Sequence, residues 1–361
     1  MKERILHYFA AGNTARGFHS LYQSNLVDLQ KLFILIGAPD TSKSNLMKEI
    51  GRRYENQDYS LEYIHSASNH DVLEGLIIKE LAVGIVSENG LQAKDLNGLQ
   101  AKEVYISLGE AKDMKSIVSQ KEMIESLSNK RLQANQLAYD TFAEALSIHD
   151  EWEAIFIDNM DFDKANDLTD ELIGLLFENR FLKHGTSKVY HRYLGAATPK
   201  GAIDFVPNLT ADIHNRYFVK GRPGSGKSTM LKKIAEQAEE RGYTVEIYHC
   251  GFDPHSLDMV IVRELDFAIF DSTAPHEYFP TRNGDRIIDV YERCITPNTD
   301  EDYSLDIENV AQRYRAKMNE ATAHLALGKS LGNEIEKIYC SCIDLRKMKS
   351  IEEAIVDAIE E

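Results

Sequence analysis

Gly221-Arg222-Pro223-Gly224-Ser225-Gly226-Lys227-Ser228-Thr229 is the stretch from which this chain is best read. It fits G-x-x-x-x-G-K-[ST], the Walker A form of a phosphate-binding loop. Its surroundings agree. An apolar run, Tyr217-Phe218-Val219, precedes it as a strand would. Met230, Leu231, Ile234, Ala235 and Ala238 follow on one stripe, as on an amphipathic helix. Each residue type has a task in that chemistry. Gly221, Gly224 and Gly226 let backbone N–H groups turn inward around phosphate oxygens, and Ser225 lies between them. The helix start adds its partial positive charge. Lys227 is placed to reach the outer phosphates, and Ser228, followed by Thr229, to ligate Mg²⁺.

The chain has 361 residues, enough for two ordinary domains. Its net charge of −17 argues against bulk nucleic-acid binding, which needs a basic field. The acidity fits a soluble, cytoplasmic protein, and no stretch approaches the length of an apolar membrane span. Cys250, Cys294, Cys340 and Cys342 form no C-x-x-C pair and read as small thiols in a reducing compartment.

Working outward from the loop exposes a duplication. With Gly37 set against Gly221, 15 of the 50 ungapped positions 37–86 are identical to their partners 184 residues on. Lys43/Lys227, Ser44/Ser228, Tyr59/Tyr243, Glu62/Glu246 and His65/His249 are among them. The same offset pairs His7 with His191, Thr14 with Thr198 and Gly17 with Gly201. Downstream the offset becomes 183, pairing Glu153 with Glu336 and Asp161 with Asp344. A period this long means two copies of one domain, residues 1–183 and 184–361, joined around 181–187.

Each copy reads as α/β, a mainly parallel sheet flanked by helices with a helical insertion before the last strand. In the second copy the expected strands are 217–219, 243–250, 267–270 and 338–340, with a loop at 195–201, a short helix or turn at 255–265 and a closing helix at 351–359. In the first they are 32–36, 59–66, 83–86 and 154–157, with one or two long helices over 111–150 and a last helix at 168–177.

The first copy's loop, Gly37-Ala38-Pro39-Asp40-Thr41-Ser42-Lys43-Ser44, is degenerate. Asp40 stands opposite Gly224 and Ser42 opposite Gly226. Side chains are penalised where a loop needs positive φ, and the Asp40 carboxylate repels phosphate. A second loss accompanies the first. Asp271 ends an apolar run where a Walker B carboxylate would help hold Mg²⁺, and its counterpart is Ser87. The adjacent Glu88 is expected on the opposite face of an extended strand.

Other polar positions carry weaker signals. Asp253, whose counterpart is Asn69, is a candidate general base. His249 persists as His65 in the degenerate copy and reads as structural. Asp161 and Asp344 read as helix caps. Thr198-Pro199-Lys200-Gly201 and Thr14-Ala15-Arg16-Gly17 keep a basic residue before glycine, either beneath a nucleotide or shaping the chain's entry to the next strand. No N-K-x-D guanine-reading motif occurs, which favours ATP over GTP.

On these motifs the chain resembles a family of bacterial proteins with two tandem P-loop NTPase halves, described as ATPases of uncharacterised role. His191 to Gly201, the Walker loop, Asp271-Ser272-Thr273-Ala274-Pro275-His276 and Trp152-Glu153 through Phe162 carry the resemblance, which spans essentially the full length. It implies an ATP-binding P-loop fold in each half, and Asp40 and Ser42 depart from its pattern. The expectation is therefore a Mg²⁺-dependent ATPase with one competent site. Lys227, Asp271 and Asp253 are its candidate catalytic residues, and Ser228 and Asp271 its metal ligands. The degenerate half is left to pack against its neighbour or bind a protein partner. Two alternatives stay open. One is a phosphotransferase with 272–334 as a lid, Asp253 as base and Arg282, Arg286 and Arg293 on the transferred phosphate. The other is an ATP-sensing scaffold with little turnover.

Overall fold

The computed structural model describes residues 5–111, 114–178, 182–183 and 185–361. Phe181 and His184, part of the expected link between copies, lie outside the described residues, as do Met1 to Arg4.

The first half opens with β1 (Ile5–Tyr8), the hairpin β2 (Ala11–Thr14) and β3 (Gly17–Ser20), and α1 (Tyr22–Leu26). Then come β4 (Lys31–Ile36), α2 (Asp40–Glu55), β5 (Leu61–Ser66), β6 (Asn69–Ile78), β7 (Val83–Ser87) and β8 (Lys102–Ser107). It closes with three helices, α3 (Met114–Ser119), α4 (Lys121–Ile157) and α5 (Phe162–Phe177). The second half repeats the plan with β9 (Val189–Tyr193), the hairpin β10 (Gly195–Thr198) and β11 (Gly201–Asp204), and α6 (Val206–Leu209). β12 (Asn215–Lys220), α7 (Lys227–Glu240), β13 (Val245–His249), β14 (Leu257–Val262), β15 (Phe267–Asp271) and β16 (Asp285–Asp289) follow. Its closing helices are α8 (Val290–Cys294), α9 (Thr299–Asp302), α10 (Ser304–Cys340) and α11 (Leu345–Glu360).

The main sheets have six strands each, in the orders β1-β5-β6-β7-β4-β8 and β16-β12-β15-β14-β13-β9. In each, five strands run parallel and one, β6 or β14, runs against both its neighbours. The stretch expected as a helix or turn at 255–265 is therefore largely strand β14. Its six residues, Leu257 to Val262, are all buried, and a fully buried strand shows no alternation to read. The expected strands at 154–157 and 338–340 are instead the last turns of α4 and α10, helices of 37 residues each. A four-residue apolar run has no period of its own, and no turn residue separates it from the helix before it. The helical segment thus follows the last strand of each half rather than preceding it. The loop expected at 195–201 is the hairpin β10–β11, turning at Pro199-Lys200 with Gly201 at φ +94°. Asp161 and Asp344 do cap α5 and α11, accepting from Lys164 N and from Arg346 N and Lys347 N.

Alternation along the strands sends each sheet's two faces into different cores. Leu32 and Ile34 of β4 face a core shared with Phe218 of β12 and Ala268 and Phe270 of β15, so the two sheets bury one face each together. The opposite faces are covered by helices, and here the halves exchange parts. Leu168, Leu172, Leu176 and Phe177 of α5 pack on β12, α7 and β15 of the second half. Ile355, Val356 and Ile359 of α11 pack on β4, α2 and β7 of the first. Between them α4 and α10 lie antiparallel, with Arg313 on Glu151 and Gly328 beside Asn135. The repeat boundary near residue 183 separates the two sheets, while the packed units cross it.

A buried ion network ties the halves at their centre. Arg192 is 1% exposed, bonds Glu62 Oε2 at 2.8 Å and Asn25 Oδ1 at 2.8 Å, and lies over the Tyr8 ring. Burial raises the pKa of Glu62, but Arg192 and then Lys79 outweigh it, so the carboxyl stays below its usual range. Removing one partner strands the other in a dry site. Arg192→Met is expected to cost about 3–5 kcal/mol in denaturant unfolding; a change within experimental scatter would show the network to be dispensable.

Candidate functional site

The loop 221–226 joins β12 to α7 at the carboxyl end of the second sheet. Gly224 and Gly226 take φ of +74° and +81°, in the left-handed region that disfavours side chains. A Cβ on Gly224 would also lie 2.4 Å from Glu153 O, and one on Gly226 2.7 Å from Met160 Cε. Gly224 is thus required twice, by conformation and by the backbone of α4, whereas Gly226 is required by conformation, since the Met160 side chain can move aside. The Ser225 hydroxyl braces the loop, donating to Arg222 O at 2.7 Å and accepting from Arg222 N at 3.2 Å. The first amides of α7 have no carbonyl a turn earlier to receive them.

The structure brings Lys227 and Asp271 together, with Ser228 next to Lys227 in the first turn of α7. Lys227 is 8% exposed; its Nζ donates to Arg222 O at 2.8 Å and stands 3.5 Å from Asp271 Oδ2. Asp271 ends β15, the parallel neighbour of β12. Its Oδ1 accepts from Thr273 N at 3.0 Å and Thr273 Oγ1 at 2.6 Å, which fixes the carboxylate. Ser228 Oγ accepts from Leu257 N at 2.9 Å, tying the helix start to β14. Thr229 follows within the first turn of α7.

The structure gives Asp253 another task than the expected base. Its Oδ1 takes Arg16 Nε at 2.8 Å and His255 N at 3.2 Å. Burial raises its pKa, but the bond from Arg16 and then that from His255 N outweigh this and hold the carboxyl below its usual range. A carboxylate so engaged is a poor proton acceptor at neutral pH. His249 behaves as a structural group. Its Nδ1 faces Pro254 O at 2.7 Å and its Nε2 faces His191 Nδ1 at 2.9 Å. His65 repeats this with His70 O and His7, and burial pushes both His249 and His65 down to about 4.

The arginines expected on a transferred phosphate are engaged elsewhere. Arg282 donates to Thr210 O, Ala211 O and Ile213 O, Arg286 lies over the Tyr217 ring, and Arg293 pairs with Glu171. The latter part of 272–334 is α10, packed along α4 rather than folded over the loop as a lid.

Two groups near the loop escape a reading of the sequence alone. Asp258 is buried beside Leu257, and burial pushes it up to about 6; its counterpart Glu74 is pushed up to about 7. A carboxylate kept at the same offset was its available signal. The second group comes from the other half. His149, Asp150 and Glu153 of α4 hold ligand atoms within 4.8 Å of one another and so have the donors for a cation. Both Lys227 and Asp253 act electrostatically on the His149 ring. This contact depends on the α4–α10 pairing, which no local motif records.

The degenerate loop is closed from within. Helix α2 begins at Asp40, three residues ahead of Lys43, whereas α7 begins at Lys227 itself. Without glycines at positions 40 and 42 the helix extends backward, and the amides of Ser42 and Lys43 donate to Pro39 O. Glu88 is not directed away, as an extended strand would require. A 3₁₀ turn from Glu88 to Gly90 brings its carboxylate back, where Oε1 accepts from Gly37 N at 2.8 Å and Lys43 Nζ at 3.1 Å. Asp40 Oδ1 accepts from Asn89, and Thr41 N donates to Glu336 at 3.1 Å. Internal carboxylates thus hold the donors a phosphate would need.

Comparison with models of protein families, with curated proteins and with solved structures finds no match to the chain. Among the described residues, no helix is long and apolar enough to cross a membrane.

Proposed function

We propose that the second half binds ATP as its magnesium complex at residues 221–229 and hydrolyses it, while the first half holds no nucleotide. The reading is carried by one observation. Two left-handed glycines open a helix whose buried Lys227 stands 3.5 Å from a carboxylate on the adjacent parallel strand. Amides of the loop and helix start would receive phosphate oxygens, and Lys227 would exchange Arg222 O for the outer phosphates. Ser228 and Asp271 would hold the magnesium ion, which neutralises charge as the terminal phosphoryl group leaves. ATP is preferred to GTP because the guanine-reading motif is missing. The role of the first half is to pack: it contributes α5 to the second half's core and lays α4 against the loop.

The test is equilibrium binding of ATP, ADP and GTP with and without Mg²⁺, followed by phosphate release with and without a pool of small-molecule acceptors. Magnesium-dependent binding of one ATP per chain and release without any acceptor are expected. Release only with an acceptor would make the protein a phosphotransferase, and tight binding without ADP formation would make it a sensor. Failure to bind any nucleotide would overturn the reading.

A further inference from the structure

The hairpins β2–β3 and β10–β11 cross between the halves. At the turn of the first, Ala15 N donates to Phe252 O at 2.9 Å and Arg16 Nε to Asp253 Oδ1 at 2.8 Å. At the turn of the second, Lys200 Nζ meets Asp71 Oδ2 at 3.1 Å in the first half. Each half therefore delivers one cation to the carboxyl end of its partner's sheet.

The two deliveries reach different places. Lys200 arrives beside a loop already filled by Glu88. Arg16 arrives at Asp253, in the half whose loop keeps its glycines. Asp253 lies between β13 and β14, and β14 begins at Leu257, whose N–H bonds Ser228. Asp253 follows Phe252, whose ring lies 6.1 Å from that of His149, and Glu153, one turn further along the same helix, closes on Gly224 of the loop. Arg16, Asp253 and His149 thus lie on the side of the loop that α4 approaches.

Among the described residues, several cations of the second half near the loop already have partners. Arg222 is held by Asp300 and the Tyr291 ring, and Lys220 by Ser272 O and Tyr278 O. Arg282, Arg286 and Arg293 point elsewhere. A triphosphate with one magnesium ion and one lysine remains anionic, and the charge on its terminal oxygens is what phosphoryl transfer must stabilise. Arg16 is the donor that the other half brings, paired to a carboxylate as Arg222 of the loop is. Its side chain is 43% exposed and sits on a two-residue turn. Its present partner is a carboxylate, which matches the guanidinium fork much as a phosphate does.

We propose that Arg16, carried by the first half, completes the phosphate site of the second, exchanging Asp253 for the terminal phosphate when ATP binds. The inference rests on the ATP reading above and deepens it. The nucleotide site is a joint product of both halves, and the degenerate half is retained because it supplies this cation.

The test uses the full chain with Arg16→Ala, Arg16→Lys and Lys200→Ala, the last removing the ion pair made by the corresponding cation of the other hairpin. Arg16→Ala is expected to slow phosphate release on the order of 10³-fold and to reduce the preference for ATP over ADP in equilibrium binding. Arg16→Lys should recover part of both, and Lys200→Ala should leave both unchanged. Equal losses in Arg16→Ala and Lys200→Ala would reduce Arg16 to an inter-half brace and overturn the proposal. So would ATP binding that depends on Lys227 and turnover or ATP preference indifferent to Arg16, which would leave the nucleotide reading standing. No ATP binding by the unsubstituted chain would overturn both.

Discussion

Lys227→Ala is expected to weaken ATP binding by roughly 10- to 100-fold, the cost of one or two charge-assisted bonds at 1.4 kcal/mol per decade. Lys43→Ala is expected to leave it unchanged. The two lysines occupy the same position in the repeat, so the contrast measures what their loops have become. Lys227 is buried, but its ammonium bonds only a loop carbonyl and faces Asp271 at 3.5 Å. A phosphate can replace that carbonyl without leaving a charge stranded. Lys43 is fully buried and already paired, with Glu88 at 3.1 Å and Ser87 Oγ at 3.2 Å. For a phosphate to enter, Glu88 would have to leave and the first turn of α2 unwind. Lys43→Ala should therefore appear in the thermal midpoint and not in the binding curve. Calorimetric titration gives the stoichiometry and both affinities. Two equivalent sites, or equal loss from either substitution, would refute a single competent site.

The contrast between the loops was legible because it is local. Glycine at 224 and 226 against aspartate and serine at 40 and 42 states which backbone can turn left-handed, and the structure follows. The strands bearing the loops were equally legible, since β4 and β12 are apolar runs with a helical stripe after them. What was hidden depends on non-local contact or on runs too short to have a period. Leu257 to Val262 is apolar throughout and reads as strand or helix alike. Ile155-Phe156-Ile157 looks like a strand only when the helix leading into it is ignored. Glu88 was placed on the wrong face because a 3₁₀ turn replaces the strand there. For the candidate site, Lys227, Ser228 and Asp271 follow from a motif, whereas Glu153 closes on Gly224, and Arg16 meets Asp253, from the other half. Only the antiparallel pairing of α4 with α10 and the crossing of the hairpins put them there. A repeat reveals that two copies exist, not that they trade parts.

Ending the chain at Asp344 is expected to destabilise the first sheet, far upstream of the cut, more than the second. Deleting Leu345–Glu360 removes α11 from the first sheet, not from the second. Ile355, Val356 and Ile359 are 1%, 1% and 7% exposed against Leu46, Ile50 and Leu61 of the first half. At roughly 1.5–3 kcal/mol for each buried aliphatic side chain, their loss costs about 5–9 kcal/mol. That is comparable to the roughly 5–15 kcal/mol stabilising a whole domain. Hydrogen exchange should lose protection in β4, α2 and β7 and keep it in β12, α7 and β15, where α5 still provides cover. The reverse pattern would show that each helix serves its own half. The exchange also predicts how separated halves behave. Residues 1–183 alone would expose the stripe of Leu168, Leu172, Leu176 and Phe177 and leave the first sheet uncovered, and 184–361 alone would suffer the mirror defect. Each fragment carries what the other lacks, so the two should be insoluble apart and recover a folded, ATP-binding complex when refolded together. Two fragments that fold independently would rule out the reciprocal packing as the source of stability.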